Sequence, residues 1–412
     1  MKVDKFLLAT MNRRSVIDMI RTKGPINKAE IARVTDLSIP TVMKLTDEFL
    51  KNGLIRISGK GESNGGKRPE LLELVSDAYY TIGVDIGRNT LKALVMNLNG
   101  CIINKKTSDT GNDTSPEEII ERIIKLIDET ISGSHIPKEK ILGMGIGMPG
   151  LLDVENGVVL FSPDFHWENV KLIEPIIKHF PMNICLENSN RAQAMGEKWF
   201  GVGIDADYFI CVNLGHGIGS AIIQEGEFYR GSCGSSGELG HITLEKNGPK
   251  CDCGNYGCLE VLASGNAIAG KAKQAVKDGK ASSMLALVNG HVDAIDAKIV
   301  FDAAKNNDPL AKSLVEEAVE YIGIGLASYI NLLDPDMIIL AGGVVNSGDI
   351  LIDGIKKVVK ERQMKYAGRK VKIRVAKLGA DATAVGAASL ILKTFIECGG
   401  NPTYVNSIER EG

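Results

Sequence analysis

Between residues 12 and 53, apolar positions recur at helical spacing in three short blocks, each closed by a stop signal. In NRRSVIDMIRTK, Val16, Ile17 and Ile20 share one face, and Gly24-Pro25 ends the block. Asn27, with Glu30 three places on, forms a variant capping box for a second helix through Ile31, Ala32 and Val34. Ser38 caps a third, IPTVMKLTDEFLKNG, whose Pro40 falls in the tolerant first turn and whose buried face is Val42, Leu45, Phe49 and Leu50. Its other side presents Ile39, Pro40, Thr41, Met43, Lys44 and Thr46, and Gly53 ends it. LIRIS and ELLELV then form a hairpin around the glycine-rich, basic tip GKGESNGGKRP. Residues 1–75 are therefore expected to be a winged helix-turn-helix domain, with a linker near 76–79.

From Tyr79 the periodicity changes. Three apolar runs, broken at Gly87 to Thr90 and at Asn97 to Gly100, predict an antiparallel meander. A helix (Pro116 to Ile131), the strand ILGMGIG, a helix near Val170 to His179, a strand from Met182 to Leu186 and an Ala-rich helix follow. A second round opens at Tyr208 with YFICVNLGHGIGSAII, two strands around a glycine turn. The long helix Pro309 to Leu333, the strand MIILAGGVV, a helix, the strand VKIRVAK and a final helix from Asp381 to Phe395 complete it. Two related strand-hairpin-helix units predict an α/β body of two lobes with a cleft between them. The first lobe is expected over 79–200, completed by the helix at 381–397, and the second over 201–380.

Composition sharpens this picture in three places. The chain has 412 residues, 44% of them apolar, enough for two or three packed domains. Residues 1–75 carry 14 Lys and Arg against 9 Asp and Glu, whereas the remainder carries 34 against 42, so a basic head sits on an acidic body. That asymmetry suggests a polyanion partner for the head alone, with operator DNA the candidate and a protein-interaction module the bland alternative. Thr41 and Lys44 are the candidates for base edges or phosphate, Pro40 stands beside them, and Lys67 and Arg68 on the wing would meet phosphate or the minor groove. One such module binds weakly, so a homodimer, or a tetramer, reading two half-sites is expected. The amino terminus lacks a signal-peptide core and no run approaches the roughly 18 apolar residues of a membrane span, so a cytoplasmic location without a membrane partner is expected.

The strongest chemical signal is GELGHITLEKNGPKCDCGNYGCLE, in loop 238–260. His241, Cys251, Cys253 and Cys258 offer four soft or borderline ligands in a short loop, the donor set of a closed tetrahedral zinc site. A closed shell leaves no position for water, so one structural zinc per chain is expected, steadying the segments that bear Glu238 and Glu260. Glycine turns at Gly87, at Gly215 and Gly217, and at Gly342-Gly343 are permissive for backbone approach to phosphate, although hairpins need glycine anyway.

On the motifs GELGH and CxCGxxGCLE at 237–241 and 251–260, the chain resembles the ROK family of sugar-responsive repressors and sugar kinases. That resemblance implies a two-lobed actin-like ATPase body of ribonuclease H-like fold. It implies zinc on His241, Cys251, Cys253 and Cys258, and a sugar or sugar-derivative effector held by Asn188, Glu238, His241 and Glu260, the histidine serving both sites. Family kinases carry Glu-Asn-Asp-Ala-Asn before the Ala-rich helix, and counting back from Gly196-Glu197 puts Ser189 where their general-base Asp stands. A serine hydroxyl cannot take that proton near pH 7, and such assistance is typically worth about 10²–10⁴ in rate. Ser189 can still bond a sugar. Arg88 in DIGRNT and His216 in GHG replace residues of the kinases' phosphate turns, which makes those turns vestigial and leaves ATP binding in question. The expectation is a repressor of carbohydrate-utilisation genes that kept sugar recognition and lost turnover; a glucokinase-like enzyme with a DNA-binding appendage is the alternative, and a protein-binding scaffold a third.

Overall fold

The structure, a computed structural model, describes residues 5–62, 68–365 and 370–405. It divides into two compact units, Met1–Ala192 with Thr383–Gly412, and Gln193–Ala382.

The first unit begins with helices Lys5–Lys23, Lys28–Thr35 and Ile39–Lys51. The Asn27 side chain accepts from the Glu30 amide and Ser38 from the Thr41 amide, so both short helices start at the caps their sequences supply. Strands Ile55–Lys60 and Glu70–Leu74 pair as a hairpin, and a two-residue strand, Ile26–Asn27, joins its other edge. This is the element order of a winged helix-turn-helix. Val16, Ile17, Ile20, Ile31, Val42, Phe49, Leu54 and Leu72 close its core. Two positions on the third helix differ from the periodic reading. Thr46 is fully buried with its hydroxyl on the Val42 carbonyl, and Leu50 is only half-buried, because the helix turns its Val42, Leu45, Thr46 and Phe49 stripe inward.

The segment after the head is pinned. The Leu98 amide donates to the Ser76 carbonyl, and the Asn97 side chain donates to Asp77 at 2.8 Å. A five-stranded sheet follows, in the order Ile184–Asn188, Ile141–Met148, Tyr80–Ile86, Thr90–Asn97, Ile102–Asp109. Helix Pro116–Ser134 covers it with Ile119, Ile123, Leu126 and Ile127. Helix Ala382–Glu397 packs so close to the sheet that a Cβ at Gly83 or Gly145 would lie 1.9 or 1.8 Å from the carbonyl oxygen of Ala384 or Ala387. The glycines of TIGVD and GMGIG are therefore the sites of helix approach. The stretch Gly379–Glu397 reaches a mean hydropathy of 1.2, more than the apolar runs suggested for a membrane-length segment, and 61% of it is buried inside the protein, as a core helix requires.

Residues 151–171 hold a small antiparallel sheet of strands Leu151–Asp153, Val158–Ser162 and Trp167–Lys171 that the periodicity did not predict. The helix expected from Val170 begins only at Ile173, because Trp167 to Lys171 pair with Ser162 to Val158.

The second unit repeats the first sheet's order: Glu227–Phe228, Ile218–Gln224, Tyr208–Leu214, Met337–Ala341, Lys372–Val375, with the last two strands parallel to Tyr208–Leu214. Helices Gly265–Lys277, Ala297–Lys305, Pro309–Leu333 and Asp349–Arg362 enclose Ile210, Val212, Leu326, Ile338 and Leu340. The division between units falls at Ala192, inside helix Ser189–Phe200, rather than after residue 200. Glu197 explains the shift. Its buried carboxylate accepts from the backbone amides of Val202, Lys377 and Leu378, all within the second unit.

Candidate functional site

In the loop after strand Glu227–Phe228, His241, Cys251, Cys253 and Cys258 bring their ligand atoms within 4.8 Å of one another. The Cys253 and Cys258 sulfurs are 3.7 Å apart, and the Cys251 sulfur lies 3.7 Å from His241 Nδ1. The Cys253–Cys258 separation is not a disulfide, which requires about 2.05 Å. Backbone bonds shape the loop: the Cys251 amide donates to the Asn255 carbonyl, and the Leu244 amide to the Gly257 carbonyl. Gly257 has φ +62°, and a Cβ there would lie 1.8 Å from the Glu245 carbonyl, so only glycine closes this turn. Burial pushes the Cys258 thiol up to about 12 and raises that of Cys251. At Cys253 burial pulls in the same direction, but the Asn255 amide and the neighbouring thiols outweigh it and lower the pKa. Three crowded thiols of this kind ionise together only when a cation supplies compensating charge.

His241 Nε2 faces the other way, 3.9 Å from the exposed carboxylate of Glu238. With Nδ1 toward the sulfurs, the ring is oriented from both sides, which fixes its tautomer when Nδ1 is ligated. Glu260 lies in the first turn of the short helix Leu259–Ala263 and accepts the Ile218 amide at 2.8 Å; a Cβ at Gly217 would lie 2.3 Å from the same carboxylate oxygen. Glu238, His241 and Glu260 all lie in the second unit, the first two facing each other and the third held on the Ile218 amide.

Asn188 and Ser189 belong to the first unit. Asn188 ends strand Ile184–Asn188, two residues beyond the expected strand end, and Ser189 begins the following helix. The Asn188 side chain donates to the Gly150 carbonyl at 3.0 Å and accepts the Asn190 amide at 2.9 Å, while its own amide donates to the buried Glu187. Gly150 is itself held, since Ser162 Oγ donates to the Pro149 carbonyl at 2.9 Å, and a Cβ at Gly150 would lie 2.4 Å from the Phe161 carbonyl. The periodicity missed this Ser162, Gly150, Asn188 chain of contacts. Its visible signal is MPG after a glycine-alternating strand, which marks a constrained turn without naming its partners.

The glycine turns differ from one another. Gly87 donates its amide to the Thr90 carbonyl, and Arg88 beside it lies 3.6 Å from Asp164. Gly215 and His216 give their carbonyls to the amides of Gly265 and Asn266 at the start of helix Gly265–Lys277, and His216 Nδ1 lies 3.3 Å from the Asn266 side chain. Gly342 has φ +96°, and a Cβ there would lie 2.3 Å from the Leu214 carbonyl, whereas Gly343 faces open space. The Gly215, Gly217 and Gly342 backbones are therefore gathered at one end of the second sheet.

On the head, Ile39, Pro40, Met43 and Lys44 are exposed along the third helix. Thr41 is half-buried, its hydroxyl 2.8 Å from that of Ser38. Arg68 is exposed at the start of the second wing strand, and Lys67 lies outside the described residues.

The ROK family profile matches residues 81–394, beginning past the head. Over 390 residues, 95% of this chain and 97% of the relative, the chain is 31% identical to the xylose repressor of Caldicellulosiruptor bescii. A solved ROK family transcriptional regulator, a homologue of the E. coli MLC protein, is 27% identical with a TM-score of 0.83, covering 97% of this chain and 100% of that one. A ROK family glucokinase from Streptomyces griseus, solved in complex with glucose and AMPPNP, is 33% identical with a TM-score of 0.68, covering 76% of this chain and 98% of that one. A profile match across three quarters of the chain, on a repeated five-stranded α/β body carrying the His-Cys cluster, places this chain in the ROK family.

Proposed function

We propose that this chain is a sugar-responsive, DNA-binding transcriptional repressor whose kinase-like body binds a sugar without phosphorylating it. What supports the proposal is the combination in one chain of three helices and a hairpin in winged helix-turn-helix order, the residues Asn188, Glu238, His241 and Glu260 that the family resemblance assigns to sugar, and Ser189 at the position it assigns to the kinases' base. The near full-length likeness to a xylose repressor supports it, since the likeness to the glucokinase leaves about a quarter of the chain unmatched.

Residues 1–75 would place the third helix in the major groove, with Thr41 and Lys44 reaching base edges or phosphate, Pro40 beside them, and Lys67 and Arg68 on phosphate or in the minor groove. The body, in lobes of residues 79–200 and 201–380, would hold the sugar hydroxyls on Asn188, Ser189, Glu238, His241 and Glu260. When bound, a zinc ion on His241, Cys251, Cys253 and Cys258 supplies structural charge compensation alone, because all four positions are taken by protein. The reading includes a cytoplasmic homodimer or tetramer on operator DNA. Regulation needs only that the sugar bind one conformation of the assembly better than the other, and about 100-fold, or roughly 3 kcal/mol, suffices.

The test is operator affinity measured across xylose, glucose, N-acetylglucosamine, fructose and mannose, on duplexes selected from a random library with the purified full chain. A sugar-dependent change is expected, and its absence with every sugar removes the proposal. The glucokinase-like alternative is tested by a coupled ATP assay on the same sugars. The wild type is expected to be silent and Ser189→Asp to gain turnover; robust turnover by the wild type would establish the enzyme instead.

A further inference from the structure

Helix Ala382–Glu397 starts and ends at two informative places within the first unit. At its start, Thr383 Cγ2 and Ala192 Cβ crowd Gly147, at 2.6 and 3.4 Å from where a Cβ would stand, and Gly147 pairs in register with Glu187, next to Asn188. Along its length the helix rides on the Gly83 and Gly145 backbones with no room to shear. At its end, Phe395 packs on Tyr79 in the segment that joins head to body, with ring centroids 5.4 Å apart. Beyond the helix, the buried Gly399-Gly400 turn lies beneath the head. A Cβ at Gly400, φ +72°, would lie 2.7 Å from Leu54, with Ile17 and Phe49 also in contact range.

Arg13 ties this turn to the third helix through polar contacts. Arg13 Nε donates to the Gly399 carbonyl at 3.1 Å, Arg13 Nη1 pairs with Glu48 at 2.5 Å, and the guanidinium lies 4.8 Å from the Phe49 ring centroid. Glu48 and Phe49 both belong to helix Ile39–Lys51, the one proposed to read DNA. A planar guanidinium presents donors in a fixed fork, so it fixes a direction between its two partners as well as a distance. Arg14 adds a looser contact, 3.9 Å from Glu397.

We infer that Arg13 is the positioning residue that couples the sugar-binding strand to the DNA-reading helix, through helix Ala382–Glu397 and its Gly399-Gly400 cap. The inference rests on the sensor function proposed above. A shift at the Asn188 end moves Thr383 first, the close-packed helix carries it as a rigid body, and Arg13 passes it to Glu48 and Phe49. Without the fork, the head keeps its fold and its DNA-contacting surface but takes its orientation independently of the sugar. Coupling of this kind is a property of the pair of sites, separable from the affinity of either.

The experiment compares wild type, Arg13→Lys and Glu48→Gln as purified full chains. Each is measured for the shift in melting temperature with xylose, glucose or N-acetylglucosamine, and for the dissociation constant of the selected duplex with and without the sugar that stabilises the wild type. The wild-type ratio of the two constants is expected in the range of about 5–150-fold. In both variants the ratio is expected to fall to about twofold or less while the sugar-induced melting shift is kept. Arg13→Lys keeps the charge and loses the fork; Glu48→Gln keeps Arg13 on Gly399 and on the Phe49 ring and replaces the ion pair to the DNA-reading helix by a weaker neutral contact, so it reports on coupling even where the Arg13 variant fails to fold. A wild-type ratio in Glu48→Gln, or in a folded Arg13→Lys, overturns the inference and leaves the sensor function standing. A wild type with no sugar-dependent ratio overturns both.

Discussion

Replacing Cys258 by serine removes one corner of the His-Cys cluster, and the geometry sets what that should cost. In a regular tetrahedron with zinc–sulfur bonds of about 2.3 Å and a zinc–nitrogen bond of about 2.0 Å, sulfur atoms lie about 3.8 Å apart and a sulfur lies about 3.5 Å from the nitrogen. The structure has 3.7 Å for the Cys253–Cys258 pair and 3.7 Å for Cys251 to His241 Nδ1, close to those separations, and all four ligand atoms lie within 4.8 Å of one another, so a small movement closes them on one ion. Little conformational rearrangement is then spent on binding. Structural zinc sites in small peptides are worth about 10–16 kcal/mol, or roughly 2.5–4 kcal/mol per ligand if shared evenly. Cys258→Ser should therefore weaken zinc by about 10²–10³-fold. Metal analysis of the purified chain should find close to one zinc per wild-type chain, and competition against a chromophoric chelator should give the loss in the variant. X-ray absorption on the wild type should show a first shell of three sulfurs and one nitrogen. A variant that binds zinc within threefold of the wild type, or a first shell of oxygen and nitrogen only, would refute the assignment.

Three further outcomes follow from single contacts. Gly217→Ala puts a Cβ 2.3 Å from the Glu260 carboxylate, which must leave the Ile218 amide; sugar affinity by calorimetry should fall about tenfold or more with the fold intact, and an unchanged affinity would take Glu260 out of the sugar site. Gly145→Ala places its Cβ 1.8 Å from the Ala387 carbonyl, where backbone meets backbone and neither side chain can give; denaturant melts should show a loss of at least about 1–3 kcal/mol, and a loss below 0.5 would mean that the helix is free to move away. Lys44→Ala and Arg68→Ala, both at exposed positions of the head, should weaken DNA binding uniformly across sequences and each reduce the salt slope by about 1; a change confined to one base position would reassign the residue to direct readout.

What the sequence made legible is what short-range physics decides. Asn27 and Ser38 announce their helices because a cap is a contact between residues three apart, and the structure forms both caps. The His-Cys cluster is legible for a similar reason: the short stretch from His241 to Cys258 leaves few alternatives for one histidine and three cysteines. The small sheet at Leu151–Lys171 is illegible because its strands are short and its outer faces mix Leu160 and Phe161 with Glu168, so no alternation of period two survives. The strand end at Asn188, rather than Leu186, depends on pairing with Gly147 and Met148, which no local pattern encodes. Glu197 is the clearest case. From the chain alone it is one more polar residue of an Ala-rich helix, and only the approach of Lys377 and Leu378, some 180 positions away, makes it a buried acceptor of three amides.

The single hydroxyl at Ser189 bears on why a sensor would give up chemistry at all. A position in the first turn of a helix stabilises an anion, by about 0.3–1 kcal/mol at an exposed site, so an aspartate there stays ionised and competent as a base. Serine in the same place keeps a hydrogen-bond donor and acceptor for a sugar but has no proton-accepting form near pH 7. Occupancy of a regulatory pocket must follow the concentration of its ligand, and a pocket that converts the ligand reports flux instead. The glycine turn at Gly215 to Gly217 is held by the protein itself. Its carbonyls are already committed to the amides of Gly265 and Asn266, with His216 set against Asn266, so the turn holds its shape through the protein's own bonds and requires no nucleotide to order it. Under the proposed function, recognition and turnover would be separated by changing the proton acceptor while leaving Asn188, Glu238, His241 and Glu260 in place.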